Sequence, residues 1–183
     1  MRMNIRPRPL NAADFAPFGD VLDISGDPDV MINQGMCGRY HDRATLDFAD
    51  GRAGISLFSA RPRSLPMELD LVERHPLGSQ AFLPMSMGRF LVVVAPDEGG
   101  VPGQPIAFIT APGQGVNFHR GTWHGVLAPL SKPGLFAVVD RIGSGANLEE
   151  HWFETRPVIE NDAGMPDDDP AKNNNQQGRT NYG

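Results

Sequence analysis

Short apolar segments alternate with turn-forming residues along most of the chain, and this pattern predicts strands. Glycine and proline, at 21 and 17 positions, fall between the apolar runs and not in one low-complexity block. Runs with strand character recur at intervals of roughly 8 to 15 residues. They cover residues 21–24, 54–59, 67–73, 80–83, 90–95, 106–110, 115–119, 124–128 and 135–140. Such spacing is typical of an all-β antiparallel sandwich or barrel.

Helical periodicity is nearly absent from the sequence. One short helix is predicted over residues 12–18. Asn11 can cap its first turn, Asp14 lies near its positive end, and Gly19 can end it. This helix is expected to be a minor element beside the strands.

The length of 183 residues fits a single domain, which we expect to cover residues 1–156. From residue 157 the composition becomes polar, and after Met165 it has almost no large apolar side chain. So few apolar groups cannot offset the entropy lost on ordering. We therefore expect residues 157–183 to form a flexible tail.

Composition limits the class of partner. A net charge of -6 argues against a nucleic-acid groove, because phosphate binding draws on a basic face. The longest apolar run, residues 90–95, is far too short to span a membrane. Cys37 is the only cysteine, so no intrachain disulfide can form, and no apolar signal segment follows the basic N-terminus. These features predict a cytoplasmic protein that acts on a small molecule, and the absence of a nucleotide-binding glycine loop predicts no nucleotide cofactor.

The first of two polar segments with catalytic chemistry spans residues 73–80. On an uninterrupted strand alternate side chains share a face, so the apolar residues of 67–71 predict an inward face that Glu73 and His75 extend. A carboxylate at the mouth of a barrel must find a partner, a metal ion or a proton. A lone histidine at a strand end is more often structural, so His75 gains significance only from its neighbours.

The second polar segment spans residues 117–124. Asn117 and His119 share a face of one predicted strand, and His124 opens the next strand after a tight turn. Closure of a barrel can set this hairpin opposite the first segment. We therefore predict that polar side chains of both segments line one cavity.

Two further polar clusters each allow two interpretations. Arg39 and Tyr40 lie in a segment that can be a solvated loop or part of a binding site. Asp140 and Arg141 end a predicted strand, where they can form an ordinary ion pair or a clamp for a carboxylate, and we prefer the clamp. Both clusters are therefore candidates for substrate binding.

The two polar segments resemble the two motifs of the cupin superfamily. The first cupin motif carries His-x-His followed by Glu, and Glu73-x-His75 with Gln80 resembles a degenerate copy of it. The second contains Pro-x-Gly-x-x-His, and residues 119–124 match it with His119 in place of Pro. Three positions thus depart from the usual cupin ligand pattern.

More specifically, the chain resembles the ureidoglycolate lyase family of cupins. Residues 73–82 and 115–124 carry the most specific similarity. The resemblance implies a cupin-type jelly-roll, a homodimer, and cleavage of (S)-ureidoglycolate to glyoxylate and urea in allantoin and purine catabolism. Two positions differ from the family pattern, since Phe118 stands where Tyr is common and Gly125 where His occurs.

The resemblance also implies a catalytic centre. A divalent ion, nickel, zinc or manganese, is expected on the side chains of His75, Gln80, His124 and Glu73. Alternatively, Glu73 is a general base beside the ion. His119 is the expected acid for the departing urea nitrogen, and His75 is a further catalytic candidate.

The substrate is expected to be a small carboxylate, and arginine is the side chain best suited to bind that group. Arg74 and Arg141 are the first candidates, and Arg39 or Arg120 can replace either of them. The other expected substrate contacts are Asn117, Tyr40, Gln80 and Phe118.

The sequence alone leaves other functions open. Jelly-rolls also host binding proteins, so a non-catalytic sensor of a small acid is one alternative. Because of Phe118, an enzyme acting on a related 2-hydroxy or 2-ureido acid is another. A hydrolytic route would release ammonia and carbon dioxide in place of urea.

Overall fold

The computed structural model describes residues 2–161, and nearly all of their regular structure is β-strand. The elements in chain order are β1 (Asn4–Ile5), β2 (Arg8–Pro9), α1 (Ala12–Phe15), β3 (Gly19–Leu22), β4 (Val30–Ile32), β5 (Cys37–Arg39), β6 (Arg52–Ser59), β7 (Met67–Glu68), β8 (Leu71–Arg74), β9 (Gln80–Pro84), β10 (Phe90–Ala95), β11 (Ile106–Ile109), β12 (Gly115–Phe118), β13 (Trp123–His124), β14 (Ala128–Pro129), β15 (Leu135–Ile142), β16 (Glu149–Trp152) and β17 (Val158–Ile159).

Two sheets form the main body of the fold. The larger has the strand order β16-β8-β13-β10-β11-β2, with β14 also pairing with β10. The second has the order β3-β12-β9-β15-β6. The pairings in both sheets are antiparallel except for β11 with β2. The predicted class, an all-β antiparallel jelly-roll with little helix, is confirmed.

The core between the two sheets follows from strand alternation. Val92 and Val94 of β10 pack against Phe118, Phe136 and other residues of the five-stranded sheet. The alternate residues of β10 enter a second apolar cluster on the other side of the larger sheet. Strand β10 is thus buried on both faces, which explains why it reads as a continuous apolar run.

The helix is shorter than predicted, because α1 ends at Phe15 and Gly19 begins β3. Its predicted cap is confirmed, since the Asn11 side chain accepts a hydrogen bond from the Asp14 backbone N–H at 2.9 Å. No helix among residues 2–161 has the length and apolarity needed to cross a membrane.

The predicted strand over residues 67–73 is broken into β7 and β8. Leu69 lies between them, and its backbone N–H donates to Pro157 O at 2.9 Å. Leu69 and Val72 enter the same apolar cluster, although residues three apart on one strand face opposite ways. The prediction that one inward face runs unbroken from residue 67 to His75 is therefore wrong.

The folded part of the chain continues past the predicted domain end at residue 156. Strand β17 pairs with β1 and β7 in a small third sheet, and Ile159 is fully buried there. The first residues of the predicted tail thus help to complete the core. Residues 162–183, the rest of that tail, lie outside the described residues.

Candidate active site and metal-binding site

The candidate site lies along a row of directly paired residues in the larger sheet. His124 of β13 lies opposite Val94 on one side and opposite Glu73 of β8 on the other. Glu73 in turn lies opposite Glu150 of β16. Directly paired residues project from the same face of a sheet, and Val94 belongs to the core between the sheets. His124 and Glu73 therefore face the interior of the barrel.

His75 completes a cluster with these two residues just beyond the end of β8. One ligand atom from each of Glu73, His75 and His124 lies within 4.8 Å of the others. The two imidazole rings are 5.3 Å apart between centroids. The turn after β12 supports this position, because the Gly121 N–H donates to the His75 carbonyl at 3.0 Å.

Backbone carbonyls fix the tautomers of the two histidines. His75 Nδ1 lies 2.7 Å from the Asn147 carbonyl oxygen, and His124 Nδ1 lies 3.0 Å from that of Gly125. Because a carbonyl oxygen only accepts, each Nδ1 must donate, and in the neutral ring Nε2 presents a lone pair. Both Nε2 atoms are buried without a hydrogen-bond partner among the described residues. These lone pairs are available to a metal ion or a substrate proton.

Burial sets the charge states in the cluster. Desolvation is the main cause that lowers the pKa of His124 to about 3, the nearby His75 contributes to the lowering, and the hydrogen bond to Gly125 opposes it. The ring is therefore neutral at pH 7. Desolvation also raises the pKa of Glu73, an effect that His75 opposes and Glu150 reinforces. A neutral buried imidazole is the form in which histidine binds metals.

Gln80 and Phe118 bring the second sheet to this cluster. Phe118 stacks on the His124 ring with centroids 4.2 Å apart and planes inclined by 5°. Gln80 lies directly opposite Phe118 on β9 and therefore shares its inward face. Gln80 is only 7% exposed, and its Oε1 has no hydrogen-bond partner among the described residues.

The donor set fits a divalent ion. Two imidazole nitrogens with free lone pairs and one carboxylate converge in the cluster, and a carboxamide oxygen lies on the facing sheet. Such nitrogen and oxygen donors suit first-row ions including nickel, zinc and manganese. The chain therefore carries a candidate metal site at Glu73, His75 and His124.

Asn117 and His119 lie on the other side of the five-stranded sheet. Val116 and Phe118 alternate with them and face the core. The Asn117 amide donates to Asp20 Oδ2 at 2.9 Å, and His119 Nε2 lies 3.2 Å from Asp20 Oδ1. The prediction that Asn117 and His119 share a cavity with Glu73 is therefore wrong, because the alternation of β12 turns Phe118 inward instead.

Arg74 also points away from the cluster. It follows Glu73 on β8 and so occupies the opposite face. Its guanidinium donates to Glu149 Oε2 at 2.6 Å and to Asp97 Oδ1 at 2.8 Å, and it lies 4.4 Å from the centre of the Trp123 ring. This placement corrects the prediction that Arg74 binds the substrate.

Arg141 is held in structural contacts. Its side chain is 1% exposed, and its guanidinium forms an ion pair with the Asp50 carboxylate. It also donates to the backbone carbonyl oxygens of Asp50 at 2.6 Å and Ser144 at 2.8 Å. Arg141 therefore pairs with Asp50, which is neither the predicted ion pair with Asp140 nor the preferred prediction of a carboxylate clamp.

Arg39 and Tyr40 lie at the end of an exposed hairpin formed by β4 and β5. The Arg39 guanidinium is 2.9 Å from His41 Nδ1, and the Tyr40 hydroxyl donates to the Gly26 carbonyl at 2.9 Å. These contacts stay within the same segment of chain. They favour the solvated-loop interpretation over a role in the cluster around Glu73.

Sequence reasoning missed two residues that shape the site. Asn147 accepts from His75 through its backbone and from the Leu77 N–H through its side chain at 2.8 Å. It lies in an irregular segment, where no periodicity marks a position as important. Glu150 is found only through the pairing of β16 with β8, a register that the local sequence does not reveal.

Comparison with known proteins identifies the family. The family model described as ureidoglycolate lyase matches residues 2–160 of the chain. The chain belongs to the ureidoglycolate lyase family. The family match covers every strand described above and all residues of the candidate site.

Individual members of the ureidoglycolate lyase family are closely similar along nearly their whole length. "Ureidoglycolate lyase" of Rhodobacter capsulatus is 66% identical over 153 residues, which are 83% of this chain and 95% of the relative. "Ureidoglycolate lyase 2" of Rhizobium meliloti is 54% identical over 84% of this chain and 95% of its own length. "Ureidoglycolate lyase" of Pseudomonas aeruginosa is 48% identical over 81% of this chain and 90% of its own length.

Proposed function

We propose that this protein is a lyase that cleaves (S)-ureidoglycolate to glyoxylate and urea. The observation that carries the proposal is the inward-facing cluster of Glu73, His75 and His124, with ligand atoms within 4.8 Å of one another. It occurs in a chain that is 66% identical to a protein named ureidoglycolate lyase. Acid-base groups so arranged suit an elimination better than a sensor, which needs no proton carrier.

The reaction needs proton transfer and no outside reactant. The hydroxyl group on the central carbon loses its proton and becomes the carbonyl of glyoxylate. The bond from that carbon to the ureido nitrogen breaks, and the nitrogen receives a proton to leave as urea. The proton removed from oxygen equals the proton delivered to nitrogen, so water is not consumed.

Glu73 is the proposed carrier of this proton. It is the carboxylate of the cluster and lies on the same interior face as His124. His119, the acid predicted from the sequence, contacts Asp20 on the other side of the neighbouring sheet. One carboxylate that first accepts the hydroxyl proton and then returns it to nitrogen performs both steps.

His75, His124 and Gln80 are the proposed holders of a divalent ion, with nickel, zinc or manganese as candidates. The unpartnered Nε2 atoms of the histidines and the unpartnered Oε1 of Gln80 support this assignment. Such an ion would polarise the substrate hydroxyl and stabilise negative charge on its oxygen. Asn147 and Gly125 orient the two rings through Nδ1, as outer partners of metal-binding histidines do.

Arg120 is the proposed ligand of the substrate carboxylate. It lies in the turn whose next residue, Gly121, bonds the His75 backbone. Its ion pair with Asp47, at 3.2 Å, joins two side chains that are 41% and 52% exposed. An exposed pair of this kind contributes little free energy, so the guanidinium can exchange partners.

A homodimer in the cytoplasm, serving allantoin and purine breakdown, is proposed as the setting of this activity. Support for self-association comes from the outer face of the five-stranded sheet, where Ile55, Leu57 and Leu83 are 77%, 68% and 40% exposed. Their strands pair side by side through β15, so the apolar groups form one surface. Such surfaces commonly mark protein interfaces.

A Leu57→Asp variant tests the dimer. Light scattering should give the mass of two chains for the wild-type protein and of one chain for the variant. Ile24→Asp is the control, because Ile24 is 76% exposed but lies outside this surface. A mass of two chains for Leu57→Asp would place the dimer contact elsewhere. A mass of one chain for the wild-type protein would show that it does not form a dimer.

The lyase activity is tested by incubating the purified protein with (S)-ureidoglycolate and measuring both products. Glyoxylate and urea in equal amounts, released far faster than in the uncatalysed reaction, are expected. Ammonia and carbon dioxide in place of urea would establish the hydrolytic route. Binding without release would favour the small-acid sensor, and neither binding nor release would favour a related 2-hydroxy or 2-ureido acid as substrate.

A further inference from the structure

Asp140 faces the barrel interior. Its neighbour Arg141, which pairs with Asp50, lies on the opposite face of the strand. On β15, Phe136 and Val138 are 2% and 0% exposed and belong to the core between the sheets. Asp140 is the next residue on their side of the strand. A carboxylate therefore ends an otherwise apolar inward face.

The register of the sheet sets Asp140 beside Gln80. Strand β15 pairs with β9 through Val138 opposite Phe82 and Val139 opposite Ala81. The paired positions end at Val139 and Ala81, and one more step in the same register would set Asp140 opposite Gln80. Side chains in such positions project from one face with their Cβ atoms about 5 Å apart.

Both residues present buried oxygen atoms that lack a partner. Asp140 Oδ1 and Gln80 Oε1 are each inaccessible to solvent and accept no hydrogen bond from the described residues. Gln80 itself is 93% buried, given its exposure of 7%. Leaving a buried acceptor unpaired destabilises a protein. Gln80 Oε1 can bind the proposed metal ion, so Asp140 Oδ1 is the acceptor that indicates a ligand with an N–H or O–H donor.

Asp140 lies outside the candidate metal site at Glu73, His75 and His124, so it is expected to contact a different part of the substrate. Asp140 is absent from the group of residues whose ligand atoms lie within 4.8 Å of one another. A substrate carboxylate would be repelled by Asp140. The neutral ureido group, in contrast, carries three N–H bonds and no strong negative charge, so it can lie against a carboxylate.

We propose that Asp140 binds the ureido group of the substrate by accepting a hydrogen bond from its terminal NH₂. This inference rests on the proposed function and adds the residue that selects a ureido acid over other 2-hydroxy acids. Contact at the end of the leaving group also fixes the orientation of the carbon–nitrogen bond relative to Glu73. A site built to bind an N–H strongly rejects an analogue that lacks it.

Two ligands that cannot undergo the elimination test the contact. N-Carbamoylglycine has the carboxylate and the ureido group but no hydroxyl, and N-acetylglycine replaces its terminal NH₂ with a methyl group. Titration calorimetry should give both affinities for the wild-type protein, Asp140→Ala and Asp140→Asn. Asp70→Asn is the control, since Asp70 contacts Arg156 at an exposed position.

Asp140→Ala is expected to weaken N-carbamoylglycine binding by about tenfold or more, the usual effect of losing a hydrogen bond to a charged group. Asp140→Asn, which keeps an acceptor oxygen, should recover part of this loss. N-Acetylglycine should bind weakly and equally to all variants. Equal losses for both ligands, or no loss for either, would overturn the assignment.

The same proteins separate this inference from the lyase proposal. Glyoxylate and urea release by the wild-type protein, together with unselective effects of Asp140→Ala, would overturn only the role of Asp140. Selective loss of N-carbamoylglycine binding in Asp140→Ala, together with no product release by the wild-type protein, would keep the ureido contact and overturn the lyase assignment. The melting temperature of Asp140→Asn shows whether the variant is folded.

Discussion

The imidazole of His124 stacks on the phenyl ring of Phe118, with ring centroids 4.2 Å apart and planes inclined by only 5°. His124 belongs to the larger sheet and Phe118 to the smaller one. The pair therefore joins the two layers at the point where the candidate metal site begins. Together with the hydrogen bond from Nδ1 to the Gly125 carbonyl, the stack fixes the direction in which Nε2 points.

Phe118→Leu should weaken metal binding, because a smaller apolar side chain fills part of the space but cannot hold the ring plane. We expect the affinity for the divalent ion to fall by about tenfold. Stability should fall by about 1 to 3 kcal/mol, as for other core truncations. Titration calorimetry and urea unfolding measure the two effects.

Phe136→Leu is the control for this variant. Phe136 is 2% exposed and packs on Phe90 with ring centroids 5.0 Å apart, whereas the ring stacked on His124 is that of Phe118. A similar loss of stability with unchanged metal affinity is expected for it. Equal metal affinity in both variants would show that the stack does not orient His124.

Glu73→Gln should separate proton transfer from metal binding. The amide is nearly isosteric but cannot accept and return a proton, so kcat should fall by about 10² to 10⁴-fold. Metal content, measured by mass spectrometry of the purified protein, should stay at the wild-type level. Loss of the metal together with the rate would instead make Glu73 a ligand.

His119→Ala should retain most of the activity, because His119 faces Asp20 and not Glu73. We expect kcat to change by less than about threefold, and stability by about 1 kcal/mol or less, as for a partly exposed polar contact. Initial rates of glyoxylate release and urea unfolding measure these values. A loss of rate of a hundredfold with an intact fold would restore His119 as the catalytic acid.

The ionised carboxylate of Asp20 should stabilise the protein at neutral pH, and this contribution should be lost in acid. Burial alone would raise the pKa of Asp20, but hydrogen bonds from Asn117, Thr45 and His119 outweigh it and lower the pKa below 3.8. A carboxyl with a lowered folded-state pKa contributes stability above its unfolded pKa, and that contribution is lost as the pH falls through the folded-state value. The loss therefore lies at and below about pH 4.

Urea unfolding of Asp20→Asn and of the wild-type protein between pH 6 and 3 measures this contribution. The free-energy difference between them should be largest near pH 6 and should shrink as the pH falls. Asp70→Asn serves as the control for removal of one negative charge at an exposed site. A difference that stays constant over this pH range would contradict the assignment.

The sequence predicted strands well where burial dictates the pattern. Residues 90–95 form β10 with the predicted limits, because a strand covered on both faces must be apolar throughout. Alternation also predicts correctly that Asn117 and His119 point to the same side, where both contact Asp20. Alternation alone does not show which side of β12 faces the core. Neither side is polar and exposed, because Phe118 and Asn117 are both almost fully buried.

Other side-chain positions depend on contacts between distant segments of the chain. The sequence predicts Arg74 as a ligand of the substrate carboxylate, but its partner is Glu149, from a strand 75 positions later. Likewise, the position of Asp140 near Gln80 depends on the register of β15 with β9. Pairings of this kind depend on how the whole sheet assembles and leave no local signal.

The central claim is that His124 and its neighbours form the catalytic centre, and the rate of glyoxylate and urea release by His124→Ala tests it most directly. His151→Ala is the matched control, since His151 packs between Trp123 and Phe153 away from the cluster. We expect His124→Ala to lose both turnover and bound metal while His151→Ala keeps both. Full turnover in a folded His124→Ala protein would contradict the account.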